Sequence, residues 1–163
     1  RTLRALGEDR VARSFERLGE KRVHELWSLN WKRLQMIREE SATWTARGID
    51  ALLCPVYATP APQHGATSEF APGGVYTIRY NVMNLPAGVV PVTRVKAGET
   101  TRTQLADRID KRAALIDSGS EGMPVGVQIV SRPYREDVAL AVMGAIEQRA
   151  KQDAARRAVK AKA

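Results

Sequence analysis

The sequence predicts an α/β fold, and two kinds of pattern predict it. Two runs rich in Val and Ile each follow a proline: Leu85-Pro86-Ala87-Gly88-Val89-Val90-Pro91-Val92 and Met123-Pro124-Val125-Gly126-Val127-Gln128-Ile129. Proline fixes φ and has no N–H for a ladder, so it suits a strand entrance, and the β-branched run behind it suits a sheet covered on both faces. Around these runs lie segments of helical period, the longest over residues 21–46. With 163 residues and 44% hydrophobic content, the chain has the size of one domain.

The elements follow in order. Residues 1–20 place Leu3, Leu6, Val11, Phe15 and Leu18 at helical spacing among Arg and Glu, which predicts one or two short, charged amphipathic helices. Residues 21–46 carry Val23, Trp27, Trp31, Leu34, Ile37 and Trp44, which predicts a long helix on the sheet with its aromatics in the core. Gly48 is placed to end it. Asp50 to Val56 reads as the first strand, with Cys54 at its carboxyl end as a small buried hydrophobe. Residues 57–74, rich in Pro and Gly, read as loop. Tyr80 to Leu85 leads through a turn into the second strand, and Asn84 can hold a positive φ there. Leu105, Ile109, Ala113 and Ile116 predict a helix within a connection long enough for a parallel crossover to the third strand. Val138, Ala141, Val142 and Ile146 then mark one face of a docking helix.

Charge bounds the partners. The net charge is +8, but residues 41–146 carry ten basic and nine acidic side chains, whereas residues 147–163 carry six and two. The excess lies at the ends, where a basic tail over 150–163 reads as a solvated helix end, so nucleic acid is not an expected partner. One cysteine excludes an internal disulfide framework and gives no metal-ligand spacing. Neither a metal nor another cofactor is expected, and a reducing, cytoplasmic setting is the expectation. His24 and His64 read as a helix-surface and a loop residue.

Leu26-Trp27, Trp44, Asp50-Ala51-Leu52-Leu53-Cys54-Pro55, the two proline strands and Arg132-Pro133-Tyr134-Arg135-Glu136-Asp137 stand in one order. Together they resemble the last part of the amidase-signature hydrolases, most closely the fatty acid amide hydrolase branch. That resemblance implies a mixed sheet covered by helices, with residues 21–149 as the family-like core and the whole chain 1–163 as the carboxyl-terminal part of one amidase domain. It also implies an amide substrate, cleaved by a nucleophilic Ser that a bridging Ser and a neutral Lys activate, all three upstream of this chain in the missing first half of the domain. No catalytic residue is therefore expected here, and Ser118-Gly119-Ser120 reads as a turn. By position in the family, Thr77, Ile78, Tyr80 and Asn81 are the expected substrate-binding residues, lining an acyl channel.

The resemblance carries alternatives. A truncated, non-catalytic paralogue acting in binding or assembly would share these motifs, as would an amidotransferase-type subunit. In the fatty acid amide branch the segment near residues 1–20 belongs to a membrane-touching cap. Here its face is charged, so a peripheral membrane contact through Phe15 and the arginines ranks below plain solvent exposure.

Overall fold

The computed structural model describes residues 4, 9, 12, 13 and 19–160. Its elements run α1 (Val23–Ala46), β1 (Ala51–Pro55), a 3-10 segment (Thr67–Gly74), α2 (Val75–Val82), β2 (Ala87–Arg94), α3 (Arg108–Ser118), β3 (Pro124–Ser131) and α4 (Glu136–Lys160). The expected helices over 1–20 fall largely outside the described residues.

The helix stops are local chemistry. Past α1, Gly48 takes φ +63°, its N–H donates to Thr45 O, and Ile49 N–H reaches back to Trp44 O at 2.9 Å. Past α2, Asn84 takes φ +52°, and the same pair of bonds recurs from Asn84 to Asn81 O and from Leu85 to Tyr80 O. Both are left-handed caps that satisfy last-turn carbonyls, one built on Gly and one on Asn. Each cap folds an apolar residue, Ile49 or Leu85, onto its helix, at Trp44 or Tyr80, and all four belong to one core cluster with Met83, Val130, Leu52 and Cys54. Two turns written in the sequence thus aim two helices at one side of the sheet.

The sheet has the order β1-β3-β2, and both outer strands pair antiparallel with β3. This corrects the expected parallel crossover between the second and third strands. The connection over 95–123 does not lay its helix across the sheet. Instead α3 packs Ile109, Ala113 and Ile116 against Phe70 of the 3-10 segment, with Tyr57 at the edge of that cluster. Asp107 caps α3 by accepting the Asp110 N–H, and Leu105 lies before its start, exposed. Freed from crossing a face, the chain returns antiparallel.

Register assigns the faces. Leu52, Cys54, Gln128 and Val130 share one face with α1 and α2, whereas Val90, Ile129 and Val127 share the other with Ala139, Val142, Met143 and Ile146 of α4. Only β3 is buried through its last residues. The edge strands leave Leu53 at 54% and Val89 at 46% exposed, so the second of the two proline strands is buried as expected and the first is not. The Ser131 N–H donates to Pro86 O at 3.0 Å, which fixes the alternation along the ladder. It places Pro55, opposite Val127, and Pro91, opposite Gly126, where a backbone N–H would point away from β3. Both prolines sit where the ladder needs no donor.

Two further expectations change. Of the three α1 tryptophans only Trp44 is buried, at 4% exposed; Trp27 and Trp31 stand at 68% and 56%, before Met36 and Ile37, the first α1 residues packed on the core cluster. On α4 Ala139, not Ala141, is the buried alanine, whereas the basic tail continues the helix to Lys160 with residues 151–157 mostly exposed, as a solvated helix end would be. Arg132 ties the end of β3 to α1: its guanidinium donates to Ile49 O at 2.7 and 2.9 Å, to Trp44 O at 3.2 Å and to Thr45 Oγ1 at 3.0 Å. A cation at a helix carboxyl end also meets the negative end of the helix dipole.

Candidate functional site

The four expected substrate-binding residues all lie on α2, a helix that the sequence reading did not contain. At 100° per residue Ile78 and Tyr80 fall on nearly opposite sides of it, so the four do not converge on one point. Tyr80 is buried under the sheet face at 7% exposed. Thr77 donates its hydroxyl to Gly74 O at 2.8 Å, within the first turn of its own helix. Ile78 is 52% exposed, and Asn81 is exposed beside it.

The Tyr80 side holds a small polar island. Cys54 Sγ accepts from Gln128 Nε2 at 3.3 Å, and Cys54 and Tyr80 belong to the same core cluster. Next to it Glu40 accepts from Trp44 Nε1 at 3.0 Å and from Arg79 Nη2 at 2.8 Å, which joins α1 to α2. Burial, reinforced by the cysteine, pushes the Tyr80 phenol from 10.0 up to about 12. The folded chain then holds a proton that the unfolded chain releases, so stability falls as pH rises from 10 to 12. Urea midpoints across that range should show this alkaline fall, and Tyr80→Phe should flatten it; an equally steep fall in the variant would assign it to other groups.

The Ile78 side of α2 faces outward. A β-carbon placed on Gly74 would lie 3.8 Å from Ile78 Cδ1 and 3.6 Å from Tyr57 Cε2, so the two side chains flank this glycine. Gly73 lets the Tyr57 ring sit close, since any β-carbon there would collide with Tyr57 and Phe70. The ring is held by a 2.7 Å bond from its hydroxyl to Phe70 O and by an edge contact with the Phe70 ring at 5.8 Å. Tyr57 in turn lines a hollow of 610 Å³ at the proline ends of β1 and β2. Sequence reasoning passed over Tyr57 as loop; the density of Pro at 55, 60 and 62 and the Gly73-Gly74 pair were the available signals.

Neither serine of the 118–120 turn is set up as a nucleophile. Ser120 is fully buried and donates to Asp117 O at 2.6 Å, and Ser118 donates to Leu115 O at 2.9 Å. A fluorophosphonate probe should therefore leave both unlabelled in the purified chain, and a mapped adduct on either would contradict the arrangement. Among the described residues no cluster of His, Cys, Asp and Glu could hold a metal ion, and no helix is long and apolar enough to cross a membrane.

Comparison with known proteins places these elements. The Amidase family model matches residues 2–140. A fatty acid amide hydrolase 1 of Caenorhabditis elegans is 41% identical over 61% of this chain, and the pig (Sus scrofa) fatty-acid amide hydrolase 1 is 32% identical over 85% of it. A protein named amidase from Gibberella moniliformis is 34% identical over 63%. The matched stretches make up 18%, 24% and 17% of those proteins, so the chain spans about a fifth of the length of the curated relatives it matches.

Proposed function

The chain belongs to the amidase family, and from that membership we propose that it is the carboxyl-terminal part of a serine hydrolase of amides, with substrates that carry an apolar acyl chain. In this reading the Lys and two Ser that cleave the amide come from the part of the domain outside this chain. The described part supports the cleft and supplies one wall. A fatty acid amide is the favoured substrate class, since two of the relatives carry that activity in their names.

The observation that carries the proposal is the exposure of Ile78. Opposite the buried Tyr80, α2 leaves Ile78 facing out together with Val75 and Val82, an apolar outer face. A surface-facing aliphatic group on that face fits a contact with a hydrocarbon chain. Thr77 serves the helix start and Tyr80 the core, so both act on substrate only by holding Ile78 and Asn81 in place.

Ile78→Trp tests this in the complete enzyme. The larger ring fills space that only a long acyl chain needs, so kcat/KM should fall for long amides and hold for acetamide-sized ones. Each methylene kept from apolar contact costs about 0.8 kcal/mol, so two or more displaced methylenes shift the chain-length preference by roughly tenfold or beyond. Thr77→Val should leave that preference alone while lowering stability. Equal losses on short and long substrates would remove Ile78 from the channel.

A further inference from the structure

We propose that Arg102 is a positioning residue: paired with Asp117 at the end of α3, it holds the backbone at Ala58 and through it the start of α2, and so sets where the outer face of α2 meets the substrate. This role rests on the amide-hydrolase reading and adds to it two residues that lie outside that helix.

A helix of eight residues is marginal alone, so α2 depends on what holds its ends. The two ends are held by different parts of the molecule. The carboxyl end is tied to α1 and the core: Arg79 pairs with Glu40 at 2.8 Å, Arg33 Nη1 donates to Val82 O at 3.2 Å, and Tyr80 and Met83 pack in the cluster with Trp44. The amino end starts at Gly74 without a side-chain cap. It is reached from the other side of the molecule. Gly73 O accepts the Ala58 N–H at 3.0 Å, Ala58 O accepts from Arg102 Nη2 at 3.2 Å, and Arg102 Nε donates to Asp117 Oδ2 at 2.7 Å. Together with the docking of α3 on Phe70 and the bond from the Tyr57 hydroxyl to Phe70 O, these contacts join α3, Tyr57-Ala58 and the 3-10 segment into one block, from which α2 departs.

Asp117 accounts for an arginine at 102. It lies in the last turn of α3, which carries no basic residue of its own, and there the negative end of the helix dipole disfavours a carboxylate. Its side chain is only 11% exposed. A carboxylate so placed needs a cation. The guanidinium fork meets it with one N–H and keeps another for Ala58, whereas lysine would bring a single point charge.

Arg102→Lys therefore separates positioning from stability, because it keeps a charge beside Asp117 and gives up the second bond. In the 15N-labelled chain the urea midpoint should stay near that of the parent. The amides of Ile78 and Arg79, the first in α2 with partners inside the helix, should exchange about fivefold faster relative to Ile129 and Val130 of β3, the factor one hydrogen bond is worth. Arg102→Gln combined with Asp117→Asn leaves no carboxylate without a cation and should show the same selective loosening, which keeps the test valid should the lysine variant not fold. In the complete enzyme either change should raise KM for a long-chain amide about fivefold and leave kcat within about twofold. Exchange at Ile78 and Arg79 that stays at the parent rate in both variants, or that rises in step with β3, would overturn the role and leave the pair a support of the fold alone. Selective loosening with KM unchanged would uphold Arg102 as what positions α2 and overturn the assignment of that helix to the substrate, so the two failures are told apart.

Discussion

Trp44→Ala will lower the stability of the folded chain by about 3–5 kcal/mol, the usual cost of truncating a buried large aromatic. The indole is 4% exposed and sits in the cluster where α1, α2 and the sheet meet. It is also wired into that junction. Its N–H reaches Glu40, whose other oxygen holds Arg79 of α2, and its own carbonyl accepts from Ile49 and Arg132. Trp44→Phe separates the two contributions. Phenylalanine keeps most of the volume and loses only the bond to Glu40, which retains Arg79, so a loss near 1 kcal/mol is expected from the hydrogen bond. Urea unfolding with unchanged m-values reads both. If alanine cost no more than phenylalanine, the cluster would not be what fixes α1 to the sheet.

Trp44 also shows which features could be read ahead of the structure. The long helix was legible because its apolar period is sustained and Gly48 supplies a stop that only a few residue types can make. The turn at Asn84 was legible for the same reason. Trp27 and Trp31 carry the same helical spacing as Trp44, yet burial depends on what lies opposite them, and sequence spacing says nothing of that. The direction of the strands was equally non-local: β2 and β3 each read clearly, but the sense of their pairing follows from α3 docking on Phe70 instead of on the sheet.

The site was legible in a different way. Thr77, Ile78, Tyr80 and Asn81 came from family position, and α2 itself escaped notice because Val75-Tyr76-Thr77-Ile78-Arg79-Tyr80-Asn81-Val82 is rich in β-branched and aromatic residues. Such a stretch favours a strand by propensity. Tertiary packing overrides that preference, since a helix lets Tyr80 and Met83 face the core together, three residues apart. The same twist divides the four residues between core and exposed surface, a division that a strand would have drawn differently, with alternate residues on each face.

Gly88→Leu will undo the docking of α4. Gly88 pairs with Ile129 in β2, on the face that α4 covers, and a β-carbon there would land on the sulfur and methyl of Met143. The absent side chain is what lets the helix lie close, and the long α4 is held by few large residues, namely Val142, Met143 and Ile146 around Ala139. Gly88→Ala tests the tolerance of this contact. Methionine is flexible, so the thioether can swing aside and the cost should stay near 1 kcal/mol. Leucine has no such escape, and overpacking of this kind costs about 3 kcal/mol or more because helix and strand must part. Met143→Ala in the Gly88→Leu background should return a good part of the loss by making room for the new side chain, a coupling that a double-mutant cycle measures directly. Were the two losses simply additive, the strand residue and the helix residue would not be in contact, and the close approach of α4 would have to be explained by the neighbouring aliphatic residues alone.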